Sequence, residues 1–260
     1  MMESRGVRRS RSEEEEESYF VSMADMMVGL LFIFIILLLY FALQFRQTTD
    51  TLTSAGQTRR EILETLKERL DKRLKPYNLT VRIDAETGVL SLPNSILFDT
   101  GQFALKAEGR QAVGIVADEL AAVLPCYADR LPSGPPCRGK PVAANKIDAI
   151  FVEGHTDSDP LSGGGVLRDN MDLSALRATN TFRQLTDTHP ELEQLVNRSG
   201  HQPVPILGVA GYGERRPVPD AAGTPDQIKA QNRRIDLRFL MVTPRSAEGA
   251  AMSRILEQPR

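Results

Sequence analysis

The sequence predicts an α/β protein in which a single N-terminal membrane-spanning helix precedes a two-layer domain of βαβαββ element order. Three observations carry this. Met26–Phe45 holds no charge and one amide, Gln44, and a helix of that length rises about 30 Å, the thickness of a bilayer's hydrocarbon core. Beyond residue 78, short apolar runs of strand type alternate with two long stretches of helical period. Proline and glycine fall between these runs, where turns are expected.

The chain has 260 residues, room for one membrane segment and one domain of ordinary size. A net charge of -2 and a pI near 6.0 argue against nucleic acid as a bulk electrostatic partner. Arg5, Arg8, Arg9 and Arg11 precede the apolar run, and on its far side the first basic residues are Arg46, Arg59 and Arg60. That asymmetry predicts a cytoplasmic N-terminus, because the acids Glu13–Glu17 contribute little to orientation. The run exceeds the core of a signal peptide and no A-x-A pattern follows it, so an uncleaved anchor is expected.

Taken in order, residues 1–18 are polar and charged and read as a disordered cytoplasmic tail. Residues 19–46 form the transmembrane helix, with Tyr40, Phe41 and Phe45 at its outer interface. One carboxylate, Asp25, lies just ahead of the uncharged run, where an acid is costly and usually functional. Residues 47–78 comprise a connection, Gln47–Thr58, read as flexible, and a helix over Arg59–Lys75. That helix places Ile62, Leu63, Leu66, Leu70 and Leu74 on one face, and Pro76 ends it. The apolar face needs cover, most simply its own domain or a dimer mate.

Residues 79–243 are the compact domain. Leu79–Asp84 and Val89–Leu92 flank Gly88 as a hairpin. Ser95–Phe98 leads into Asp99–Gly101, and a helix follows over Lys106–Leu124, broken by Pro125. Lys146–Glu153 is a strand, Ser162–Gly165 a glycine-rich loop, and Asn170–Thr188 a second helix. Val204–Ala210 and Arg234–Val242 complete the strands, and residues 244–260 form a loose tail. Cys126 and Cys137, the two cysteines of the chain, bracket a Pro/Gly-rich loop. Export would favour a disulfide between them, and otherwise they are two inert thiols. Metal-site spacing is absent, so no metal is expected.

The densest polar signals are Gly154-His155-Thr156-Asp157, the helix start Asn170-x-x-Leu173-Ser174-x-x-Arg177-Ala178, the turn Gly211-Tyr212-Gly213-Glu214 and Asn232-Arg233-Arg234. These four elements in this order resemble the OmpA-like, peptidoglycan-binding domain of cell-envelope proteins, over roughly residues 79–243. The resemblance implies a ligand, the diaminopimelate of peptidoglycan stem peptides, gripped by Asp157 and Arg177. Diaminopimelate offers an ammonium to the Asp and a carboxylate to the Arg fork. It further implies that Leu173 packs beneath the ligand, Asn170 bonds its backbone and Arg233 holds the pocket. The alternative is that Asp157 caps a turn and Arg177 makes an internal bridge. His155, His189 and His201 sit in no hydrolytic or metal frame, and 163–165 lacks a phosphate-loop setting, so neither an enzyme nor a cofactor is expected.

A membrane helix with an acid near its start, followed by such a domain, resembles the B subunits of ion-driven rotary motors. These are the flagellar MotB type and, closer in appearance over Val21–Phe34, the MotB-like type of the Zorya anti-phage defence systems. That resemblance implies a homodimer, a multi-helix A subunit (ZorA/MotA-like) forming a ring around it, and Asp25 as the ion-translocating group. A carboxylate removed from water among helices can take up and release a proton near neutral pH. The rival reading is a passive membrane-to-wall tether in which Asp25 merely sits at the interface.

Overall fold

The computed structural model describes residues 6–77, 81–138, 146–161, 167–198, 202–219 and 221–242, with the side chains of 6–18 and 51 left out of that description. The glycine-rich loop Ser162–Gly165, the first residues of the Leu79–Asp84 strand and the tail 244–260 lie outside it. Two compact units are distinguished, Met1–Thr51 and Leu52–Arg260.

In the first unit, helix α1 (Gly6–Leu74) begins its course. Every described side chain from Tyr19 to Asp50 is exposed, and this helix is long and apolar enough to cross a membrane. Helix already begins at Gly6, where the composition suggested a disordered tail; Arg and Glu are good helix formers. Nor does the helix break over Gln47–Thr58. The threonines there turn their hydroxyls onto their own helix: Thr48 donates to Gln44 O at 3.0 Å, Thr49 to Phe45 O at 2.9 Å and Thr58 to Ser54 O at 3.1 Å. Such back-bonding satisfies a residue type whose composition otherwise reads as loop.

The second unit shows what covers the apolar face of Arg59–Lys75. Ile62, Leu63, Leu66, Leu70 and Leu74 are each 0% exposed and belong to the main core cluster. Arg69 and Arg73 then pair with Glu119, and Arg73 with Asp118 at 2.6 Å, so charge as well as oil fixes the docking. The helix's own domain is the partner.

The main sheet has five strands, β1 (Arg82–Asp84), β2 (Val89–Pro93), β4 (Ile147–His155), β7 (Leu207–Gly213) and β8 (Arg234–Met241), in spatial order β1-β2-β8-β4-β7. The β4–β7 pair is parallel and the other neighbours antiparallel. Helices α3 (Ala107–Val123) and α4 (Asn170–Thr188) lie on one face, where Leu90, Leu92, Ile150, Val152, Ile235, Leu237 and Phe239 point inward. Alternation along β8 sends Arg234, Asp236 and Arg238 to the other face.

Three features depart from the sequence reading. Most of the Ser95–Phe98 run lies in a one-turn helix, α2 (Asn94–Leu97). The run Val204–Ala210 is split: β6 (Val204–Pro205) joins β3 (Asp129–Arg130) and β5 (Leu195–Asn197) in a separate three-stranded sheet, and β7 starts only at Leu207. Pro205, with no N–H to donate, marks the break. A further helix, α5 (Pro225–Asn232), stands before β8.

Cys126 and Cys137 form a disulfide that ties the loop after α3 to itself. The two lie 11 positions apart in the sequence, and closing so short a loop restricts the unfolded chain by about 3 kcal/mol. Reduction, or Cys126→Ser, is therefore expected to lower the unfolding free energy by about that amount. Denaturant titration of the full chain with and without reductant checks it, and coincident curves would mean the bond contributes nothing.

Candidate functional site

The C-terminal end of a parallel strand is the usual ligand-bearing end of an α/β sheet. Here β4 ends at His155 and the chain runs on through Thr156 to Asp157, while α4 begins at Asn170 beside it. Asp169 caps that helix, its Oδ1 accepting from the N–H groups of Met171 (2.9 Å) and Asp172 (3.0 Å). Ser174 Oγ accepts from Gly213 N at 2.9 Å, and Thr156 N donates to Gly213 O at 3.0 Å, so α4, β7 and the end of β4 are bonded into one corner.

That corner carries a cavity of about 690 Å³ lined by Asp157, Asn170, Leu173, Arg177 and Arg233 together with residues of the 94–106 segment. The sequence reading picked these five, and the fold brings all of them to one cavity. Leu173 is 4% exposed and forms part of its floor.

Arg177 is 2% exposed. Its Nε donates to Gln102 O at 2.8 Å and its Nη2 to Asp99 O at 3.2 Å, and its guanidinium lies 5.2 Å from the centroid of the Phe98 ring. These bonds use part of a guanidinium's five N–H groups, leaving capacity for an anion in the cavity. Burial pushes the Arg177 pKa down to about 10, the Asp157 carboxylate working against this and Arg233 adding to it. It remains a cation at neutral pH.

Asp157 is ion-paired to Arg233 Nη1, and its Oδ1 accepts from Asp159 N at 3.2 Å. The Asp157–Arg233 contact makes Arg233 the residue that holds the carboxylate in place. Asn170 lines the cavity and also bonds within the protein. Its amide nitrogen donates to Asp157 O at 3.3 Å and Asp159 O at 2.9 Å, so it braces the loop.

The sequence reading missed the other wall: Asn94, Ser95, Phe98, Asp99, Thr100, Gly101 and Lys106. Their signal is faint. Gly101 takes φ +70°, a left-handed conformation that favours glycine, and so permits the turn by which 99–104 wraps Arg177. Asp99, Asp157 and Asp159 stand against Lys106, Arg177 and Arg233 around the cavity, acids and bases matched in number.

Behind the site, Glu153, His155 and Asp236 offer ligand atoms within 4.8 Å of one another, all buried. His155 Nε2 lies 3.3 Å from Asp236 Oδ2, and the ring stacks on Tyr212 at 5.4 Å. Arg238 Nε donates to Glu153 at 2.8 Å and Arg234 Nε to Asp236 at 2.8 Å. Both carboxyls are held below their usual range: against the opposing effect of burial, the neighbouring His155 ring is the largest lowering influence on each, with Arg238 or Arg234 adding to it. The two guanidinium groups already balance the two carboxylates, so a divalent cation here would bring uncompensated buried charge. Within the cluster, Glu153 Oε2 and both ring nitrogens of His155 are buried without a hydrogen-bond partner among the described residues.

Against known proteins, the chain is 25% identical to Zorya protein ZorB of Escherichia coli over 234 residues, 90% of this chain and 85% of that protein. It is 25% identical to Motility protein B of Bacillus subtilis over 191 residues, 72% of this chain and 58% of that one. Among solved structures, a MotB-like protein from Desulfovibrio vulgaris aligns with a TM-score of 0.43 at 18% identity, covering 73% of this chain and 98% of its own. No protein-family model matches the chain.

Proposed function

We propose that this chain is a peptidoglycan-anchored B subunit of a proton-driven inner-membrane motor serving anti-phage defence. The observation that carries the wall-binding half is the single cavity lined by Asp157, Asn170, Leu173, Arg177 and Arg233. Its balanced acids and bases suit a zwitterionic ligand, and the diaminopimelate of a stem peptide carries both an ammonium and a carboxylate. In this reading Arg177 receives the carboxylate. The ammonium approaches Asp157, whose carboxylate retains lone pairs beyond those used by Arg233 and Asp159.

The similarity to ZorB over 90% of the chain supports the motor and the defence role together. The N-terminus lies in the cytoplasm and the 79–243 domain in the periplasm. Two copies sit inside a ring of a multi-helix A subunit, which supplies the wall of the ion path, because one helix cannot form it alone. Asp25 carries the proton. A flagellar role shares this mechanism with a different output, and the similarity to Motility protein B, over 72% of the chain, is what favours keeping it in view.

The test of the wall contact is co-sedimentation of the full chain with purified sacculi. Arg177→Ala is expected to weaken retention at least about tenfold, the loss of a charge-assisted fork. Arg177→Lys, which keeps the charge without the fork, is expected to fall between the two. Melting temperature measured on the same samples separates lost binding from lost folding. Full retention by a folded Arg177→Ala variant would move the wall contact elsewhere.

A further inference from the structure

The face of the sheet away from α3 and α4 carries a second concavity, of about 300 Å³, between the β1–β2 hairpin, β8 and the segment 216–219. Its polar lining is unusual for a chain of net charge -2: four arginines, Arg82, Arg216, Arg234 and Arg238, against two aspartates, Asp84 and Asp236. Three of these arginines are held in place from behind. Arg216 lies 3.8 Å from the centroid of the Tyr212 ring, and its carbonyl accepts from Arg234 Nη2 at 3.3 Å. Arg234 and Arg238 are fixed by Asp236 and Glu153, as described above.

The two acids of the groove already have partners. Asp84 Oδ1 accepts from the N–H groups of Glu86 (3.0 Å) and Thr87 (3.1 Å), closing the hairpin turn. Asp236 accepts from Ser91 Oγ at 2.6 Å as well as from Arg234. Among the described residues Arg82 and Arg216 therefore have no carboxylate partner. Positive charge exceeds negative in a recess where Arg216, Arg234 and Arg238 are preorganised, an arrangement that selects anions with several acceptor oxygens.

We propose that this groove is an oxyanion site, taking a phosphate or phosphate ester on Arg82 and Arg216 with Arg234 and Arg238 behind them. It shares no lining residue with the cavity around Asp157 and Arg177. Arg233 and Arg234, adjacent in the chain, serve the two sites separately. A phosphate ester could come from a wall polymer or from a lipid headgroup, and both present the same tetrahedral anion.

The experiment titrates inorganic phosphate into the detergent-solubilised full chain by calorimetry at constant ionic strength. Saturable binding is expected, weakened at least about tenfold in Arg82→Gln/Arg216→Gln. Both residues are exposed and leave the buried carboxylates their partners, so this variant is expected to melt like the parent. Arg177→Ala is expected to bind phosphate normally, which keeps this site distinct from the wall contact. A soluble glycerol-phosphate polymer and phosphatidylglycerol vesicles, run in parallel against phosphatidylcholine vesicles, assign the source of the anion. Non-saturable uptake, or equal binding by the double variant, would overturn the proposal.

Discussion

Asp25→Asn is expected to abolish the system's output, phage protection falling to that of cells without the system, while membrane insertion and assembly persist. The substitution preserves size and hydrogen-bonding capacity and removes only the ability to ionise. Asp25 is the one Asp, Glu, Lys, Arg or His in the uncharged stretch and its approach, Met23–Phe45. A proton crossing 100 mV releases about 2.3 kcal/mol, and only a group that alternates between charged and neutral can couple that release to a change of contacts with a neighbouring helix. Without the alternation the driving force has no route into movement. Efficiency of plating for Asp25→Asn, expressed with its native partner genes, reads the effect. Crosslinking in the same cells reports assembly, and swimming serves as the flagellar control. Asp25→Glu, which keeps the proton and lengthens the arm, is expected to retain part of the protection. Full protection by Asp25→Asn would reduce the protein to a tether between membrane and wall.

The parts of this molecule written in periodicity were legible. Ile62, Leu63, Leu66, Leu70 and Leu74 recur at helical spacing, and all five are fully buried. Lys146–Glu153 and Arg234–Val242 likewise became β4 and β8 within two residues. Where local chemistry outweighs composition, the reading failed. Gln47–Thr58 looks like a linker because threonine and serine are loop residues on average, yet the helix runs through it with threonine hydroxyls bonded to carbonyls of the preceding turn. Strands of two or three residues such as β3, β5 and β6 have too few positions to show alternation. Helix α5 was readable and missed: Thr224-Pro225-Asp226-Gln227 is a capping box with proline at the first position, and Thr224 and Gln227 bond reciprocally. The site divides in the same way. Asp157, Asn170, Leu173, Arg177 and Arg233 were found by their resemblance to a known pattern. The opposite wall touches Arg177 through the carbonyls of Asp99 and Gln102, and backbone atoms leave no mark in the choice of residue.

Gly154→Ala is expected to cost roughly 3 kcal/mol of stability, a large share of what a domain of this size possesses. A methyl group built at Gly154 would stand 2.0 Å from Ser174 O and 2.8 Å from Ser174 C, inside helix α4. The obstacle is backbone, so no side-chain rotation relieves it. Gly154 is paired with Gly211 across β4 and β7, and a methyl there would meet Ala175 N at 2.7 Å. The two glycines form a bare strip of sheet onto which the first turns of α4 press directly. That close approach sets the depth of Asn170, Leu173 and Arg177, which α4 carries to the cavity. Pushing the helix outward therefore reaches the candidate site as well as the core. Gly154→Ala should lower the melting temperature and weaken sacculus retention together. Arg177→Ala should lose retention with far less change in melting. Denaturant unfolding and co-sedimentation on the same preparations check this. A Gly154→Ala variant with parental stability would mean that α4 moves away from the sheet at little cost, and the glycine strip would then not be what positions the site.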